Sequence, residues 1–151
     1  MKSQRPSQII VVLALLLFCS VVIPAEGTLT ILEVRKAEFE TFPGADQVYV
    51  KGSERPIYIA AQAEFTNRDF SAVNAVGDLH GEPGLELILT ETAAHRMEEL
   101  SSRWIGKPLA IMVNGDVVLA PIVRDVLGER LIVQGRFTLK EAQDLAANVR
   151  R

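Results

Sequence analysis

The chain has 151 residues, of which 48% are apolar and 23% are charged, and its formal net charge is −3. This composition excludes a disordered, collagen-like or coiled-coil chain, and the length predicts one compact domain with or without an appendage. The mild negative charge, without any block of basic residues, argues against a nucleic-acid partner.

The first 27 residues differ in character from the rest. Lys2 and Arg5 precede an uncharged apolar run at 9–23, which is followed by Pro24 and the short sequence 25–27. This order is typical of a secretory signal, and the run is shorter than the about 20 residues that a bilayer span needs. We expect either a cleaved signal peptide, with the mature chain starting at Thr28, or a retained N-terminal membrane anchor.

Both alternatives place residues 28–151 outside the cytoplasm as a single domain, in contact with a membrane only through residues 1–27. Removing those 27 residues takes away two basic residues and one acidic residue, so the mature chain carries a net charge of −4. The single cysteine, Cys19, lies in the apolar run. The domain itself therefore has neither a disulfide nor a cysteine-based metal site.

The first half of the domain alternates strand and turn patterns. Residues 28–39 predict a strand, 40–47 a turn, and 48–62 two strands joined by a turn at 52–56. Thr66, with Asp69 three positions later, resembles a capping box and predicts that a short helix begins there. Residues 76–84 predict a loop.

The second half is more regular. Residues 84–90 predict a strand with Leu85, Leu87 and Leu89 on one face, and Thr90 can cap a helix over 91–105. An Asn-Gly hairpin at 107–123, a strand at 129–135 and a helix at 137–149 follow, the last helix opening with a capping box. We predict an α+β fold: a mostly antiparallel sheet with two main helices packed on it.

The second strand of the hairpin is apolar on both faces and contains Pro121. Alternation places Val117, Leu119, Pro121 and Val123 on one face. Because proline cannot donate to a strand ladder, we expect Pro121 at a sheet edge or bulge, with the lost ladder position facing solvent or a loop. The other apolar face is either covered, by the N-terminal strands or by another layer, or left exposed as a groove for polypeptide.

No constellation of residues marks a reaction centre. His80 lies in a loop, and His95, four residues after Glu91, favours a surface pair. Asp116 flanks the turn, and Trp104 belongs to the apolar stripe of its helix. The sequence lacks nucleotide-binding and nucleophile motifs. We therefore expect no enzyme and no catalytic, cofactor-binding or metal residues; a small hydrolase built on Glu/His chemistry is the disfavoured alternative.

One long segment resembles a known family. The sequence "GLELILTETAAHRMEELSSRWIGKPLAIMVNGDVVLAPIVRDVLGERLIVQGRFTLKEAQDLA" is similar to the head subdomain of the first periplasmic domain of SecD, a membrane subunit of the bacterial protein-export machinery. The upstream "VYVKGSERPIYIAAQAEFTNRDFSAV" resembles the start of that head. The resemblance implies an α+β, SecDF periplasmic head-like domain that contacts polypeptide.

The chain also departs from that family. It shows neither the later transmembrane helices of SecD-type subunits nor their "LDLKGG"-like segment, and Ala93 stands where relatives often have glycine. The resemblance thus implies a stand-alone, extracytoplasmic module without a motor. It would bind unfolded or translocating polypeptide or Sec translocase components. The alternative is an accessory structural protein of the envelope that oligomerises through the same surface, without a transport role.

Overall fold

The computed structural model describes residues 30–77, 82–135 and 137–149. The predicted signal or anchor at 1–27 and the loop residue His80 lie outside this part of the chain. Eight strands and two α-helices form the described fold. The elements in chain order are β1 Leu32–Glu38, β2 Ala45–Tyr49, β3 Pro56–Ala60, β4 Phe70–Gly77, β5 Pro83–Leu89, α1 Glu91–Trp104, β6 Leu109–Val113, β7 Asp116–Leu119, β8 Arg130–Gln134 and α2 Leu139–Asn148.

The strands form two antiparallel sheets. One has five strands in the order β2-β3-β1-β6-β7, and the other has three in the order β4-β5-β8. The α+β class, the antiparallel pairing and the two main helices are as the sequence predicts. The structure divides the antiparallel pairing between two sheets, and the chain passes from one sheet to the other at 61–69, at 90–108 and at 120–129.

The main core lies between the two sheets and includes both helices. Leu85, Leu87 and Leu89 all point into it, as their alternation predicts, and they meet Met97 of α1 and Ala142 of α2. Both predicted caps are present: Thr90 Oγ1 accepts from the N–H of Ala93, and Thr138 forms a capping box with Glu141. Local chemistry thus sets where the helices begin, and their apolar stripes set which way they face.

A smaller core covers the opposite face of the larger sheet. Val117 of β7 packs there with Ile57 and Ile59 of β3. The backbone N–H of Lys51, just after β2, donates to the carbonyl of Val117 at 3.0 Å. Since β2 and β7 are the two outer strands, this bond requires the sheet to curl over its own apolar face. The N-terminal strands therefore cover that face, which confirms one of the two interpretations of the apolar hairpin.

The prediction of a helix after Thr66 holds for only one turn. The capping box forms, with the Thr66 N–H donating to Asp69 at 2.8 Å, but the 3-10 helix ends at Asp69. Residues 70–77 are strand β4, which the sequence pattern did not indicate. Pairing with β5 along its whole length outweighs the local helix signal, as tertiary context commonly does.

The hairpin turn has the geometry that Asn-Gly favours. Asn114 has φ 52° and Gly115 φ 90°, so both residues adopt the left-handed conformation of a type I′ turn. Asn114 also holds the N-terminal segment: its side-chain oxygen accepts from the N–H of Ile31, and its own N–H donates to the Ile31 carbonyl, both at 2.8 Å. One residue thus shapes the turn and ties β1 to it.

Replacing Asn114 by alanine should lower the free energy of unfolding by about 1–2 kcal/mol, because alanine is strained at positive φ and cannot accept from Ile31. Asn114→Gly removes the same side chain without the strain, so it should cost less. Urea unfolding of both variants measures the difference. Equal stability of the alanine variant and the parent would contradict this role.

Pro121 lies just beyond β7, an outer strand, so the expected edge position is confirmed. Its carbonyl accepts from the Leu109 N–H at 3.0 Å, and the ladder resumes at the Pro108–Ile122 bridge. In an antiparallel pair the N–H and C=O of one residue face the same neighbour. The lost donor therefore faces β6, and the expectation that it faces solvent or a loop is wrong. A bulge between Ile111 and Met112 also breaks the predicted alternation of β7.

Candidate functional site: an apolar groove between the sheets

An apolar groove of about 340 Å³ opens between β8 and the segment that follows β7. We call it the intersheet groove. Its floor includes Leu87 of β5 and Met97 of α1, both 0% exposed. The groove therefore reaches from the surface to the main core, and any group entering it meets hydrocarbon.

Two chain segments form the walls of the groove. Pro121, Ile122 and Val123 line one wall, and Leu131 and Val133 of β8 line the other. Ile122 stands at the opening and is 43% exposed. Ile132 of β8 borders the groove through its strand, but its side chain points to the outer face of the smaller sheet, where its partner is Glu86 and where it is 63% exposed. Large aliphatic side chains exposed beside an apolar cavity are typical of a surface that binds another molecule.

Backbone hydrogen bonds hold the first wall in place. The N–H of Gly106 donates to the Val123 carbonyl at 2.8 Å, and the Val123 N–H donates to the Lys107 carbonyl at 3.0 Å. Farther along, the Leu127 N–H donates to Ser101 Oγ at 2.9 Å. That hydroxyl donates to the Met97 carbonyl at 2.6 Å. The wall is thus tied to the turn after α1 at one end and to α1 itself at the other, and the groove is largely preformed.

Ser101→Ala should lower the free energy of unfolding by about 1–2 kcal/mol, because the Leu127 N–H loses its acceptor, while alanine regains a little helix propensity. Ser102→Ala is the matched control, since the neighbouring hydroxyl is exposed and bonds only within its own helix, to the Glu99 carbonyl. Thermal unfolding compares the two. If both substitutions lower the stability equally, Ser101 does not have the proposed role of holding the groove wall through Leu127.

Charged residues surround the opening. Arg130 forms an ion pair with Glu86 at 3.0 Å on the outer face of the smaller sheet, and Asn74 donates to the same carboxylate. Arg124 and Asp125 stand on the opposite rim. Both signs of charge are present, so the rim does not select strongly for one charge on a ligand.

A second cavity, of about 430 Å³, lies between the hairpin tip and α2 and is more polar. Lys51 reaches Glu141 there at 3.6 Å, and Asp116 and Asp144 also line it. Bonds from the Thr138 backbone and hydroxyl, and then the charge of Lys51, hold the pKa of Glu141 below its usual range. Glu141 serves the helix cap and pairs with Lys51, and charged side chains line the cavity, so it is a weaker candidate for an apolar ligand.

The residues that the sequence marked for possible chemistry do not converge. His95 is exposed and meets Glu98 at 3.7 Å rather than Glu91. Trp104 packs against the main core and donates to the Pro108 carbonyl at 2.8 Å, with Lys107 Nζ 4.4 Å from its ring centre, which confirms its structural role. Within 30–77, 82–135 and 137–149, no cluster of three His, Cys, Asp or Glu side chains could hold a metal ion.

Sequence reasoning missed the groove and its support, Ser101. A signal for Ser101 was available, because this serine follows Met97 by four residues and so lies on the apolar stripe of α1. A buried polar side chain on such a stripe needs a partner, which here is a distant loop. No local pattern indicates that 121–123 and β8 face each other.

A family model described as SecDF, P1 head subdomain, matches residues 44–151. Among curated proteins, the chain is 34% identical over 86 residues to protein translocase subunit SecDF of Thermus thermophilus, which covers 56% of this chain and 12% of that protein. It is also 34% identical over 85 residues to protein translocase subunit SecD of Aquifex aeolicus, covering 56% and 17%. The chain thus spans less than a quarter of the length of these relatives.

The fold also resembles solved structures of SecDF. A structure of SecDF described as a membrane component that enhances protein export aligns with a TM-score of 0.65 and 23% identity, covering 82% of this chain and 63% of that one. SecDF in its super-membrane-facing form aligns with a TM-score of 0.64 and 24% identity, covering 80% and 18%. These alignments show that the fold is that of the SecDF periplasmic head.

Proposed function

Since this chain belongs to the SecDF P1 head subdomain family, we propose that it is a non-catalytic module that binds unfolded polypeptide in connection with protein export. The proposal also assigns residues 1–27 to a signal peptide or membrane anchor, and 28–151 to one head-like domain outside the cytoplasm. In the part of the chain that the structure describes, no helix is long and apolar enough to cross a membrane.

The observation that carries this proposal is the intersheet groove. It is apolar, reaches the main core, and opens between the exposed Ile122 and the strand β8. An unfolded polypeptide offers what such a groove can bury, namely apolar side chains on an extended backbone. Sec translocase components are the second class of partner that we propose, on the family relationship alone.

Binding to matched unfolded and folded probes tests the proposal. The unfolded probe is reduced, carbamidomethylated ribonuclease A, which cannot refold, and the folded control is native ribonuclease A. We expect fluorescence anisotropy of the labelled unfolded probe to rise saturably with the concentration of the 151-residue chain. The native protein, with nearly the same charge, should not bind. Absence of binding to the unfolded probe, or equal binding to both, would refute a polypeptide-binding role.

A further inference from the structure

The strand β8 borders the intersheet groove and is the outer strand of the smaller sheet. Among the described residues, it pairs with β5 and with no strand on its other side. The Leu89 N–H donates to the Glu129 carbonyl at 2.8 Å, just before β8, which fixes the direction of the peptide groups that follow. Residues 131 and 133 therefore turn their peptide groups toward β5, and Arg130 and Ile132 turn theirs away from it.

We propose that this edge binds extended polypeptide as an additional strand beside β8. The inference rests on the proposed function and specifies how the groove would be used. The outward N–H and C=O of Ile132 would bond to the backbone of the incoming segment, because an open strand edge is a template for another strand. The sheet β4-β5-β8 would then gain a fourth strand.

The groove lies where the side chains of such a strand would point. Leu131 and Val133 face inward from β8, and an added strand continues the sheet with its own inward side chains next to theirs. Those side chains would lie against Ile122 and Val123 on the opposite wall. Every second residue of the bound segment thus enters hydrocarbon, and the residues between face the solvent side near Arg130.

The chemical class of ligand follows from this geometry. The edge would bind an extended segment that has apolar residues at alternate positions. Hydrogen bonds to the backbone do not depend on which side chains the segment carries, so any apolar residues would serve. The short length of β8, Arg130–Gln134, limits the paired region to a few residues. Weak, sequence-tolerant binding of this kind suits a chain that must be released again.

Three short synthetic peptides with lysine at both ends test the pairing on the unmodified 151-residue chain. The first alternates valine and threonine; the other two carry N-methyl groups on all of its valines or on all of its threonines. In a strand, only one of these sets directs its N–H groups toward β8. We expect one methylated peptide to bind about tenfold or more weakly than the other. Equal affinity of the two methylated peptides would overturn the proposal.

Ile132→Pro provides the second arm. Proline removes the outward N–H without touching the bonds to β5, so the edge strand should tolerate it. We expect loss of binding for the alternating peptide, with Ile132→Ala as the control that keeps the backbone donor and binds more strongly than the proline variant. If the proline variant binds as well as the alanine variant, strand addition is wrong, even if ribonuclease A still binds elsewhere. A stable dimer of the parent chain that proline dissociates, and that peptide cannot disrupt, would assign this edge to a second copy.

Discussion

Ile122→Asp should lower the affinity for unfolded ribonuclease A by about tenfold. Ile122 stands at the opening of the intersheet groove, and its side chain can bury apolar surface worth about 1.5–3 kcal/mol when a ligand covers it fully. A carboxylate at this place would have to lose its water when an apolar segment covers it. Because Ile122 is 43% exposed in the free protein, the stability of the fold should change little.

The control, which makes the same change of charge, is Tyr49→Asp. Tyr49 is 55% exposed and lies on β2, the outer strand of the other sheet. Anisotropy titration of the three proteins, after urea unfolding has verified their stability, separates a local effect from a general effect of added negative charge. Equal losses at Tyr49 and at the groove would contradict the assignment of the site.

Leu87→Ala should lower the free energy of unfolding by about 2–5 kcal/mol, because it leaves a cavity at a fully buried position between the sheets. The same substitution removes part of the groove floor. A domain of this size has only about 5–15 kcal/mol of stability, so the change is large. Chemical denaturation monitored by far-UV circular dichroism measures it.

Ile88→Ala is the matched control on the next residue of β5. Ile88 faces the outer side of the smaller sheet and is only partly buried. Its truncation should therefore cost clearly less than that of Leu87. If the two substitutions cost the same, the alternation that places Leu85, Leu87 and Leu89 in the core is wrong.

The predictions that hold depend on local chemistry. Thr90 and Thr138 cap their helices because hydroxyl side chains satisfy free backbone N–H groups, and Asn114-Gly115 turns because both residues tolerate positive φ. The inward row from Leu85 to Leu89 follows from the period of a strand. Each of these signals lies within a few residues of the feature that it predicts. They can therefore be recognised from one sequence, without knowledge of distant contacts.

The features that the sequence did not predict depend on distant contacts. Strand β4 follows a capping box and exists because it pairs with β5. The second sheet exists because β4 and β8 both pair with β5 rather than with the larger sheet, and the groove lies beside the segment at 120–129 that leads to β8. Pro121 illustrates this dependence on distant contacts. The sequence predicts its position at a sheet edge, but only its pairing with Leu109 shows that the missing N–H would face β6.

Photo-crosslinking of unfolded polypeptide to the groove tests the central claim most directly. Benzoylphenylalanine would replace Ile122 at the groove and, in a separate protein, Tyr49 on the far sheet; the two parent residues are 43% and 55% exposed. Irradiation with unfolded ribonuclease A should give a crosslinked product from position 122 and little from position 49, with neither reacting with the native protein. Equal crosslinking from both positions, or none from position 122, would contradict binding of polypeptide at this groove.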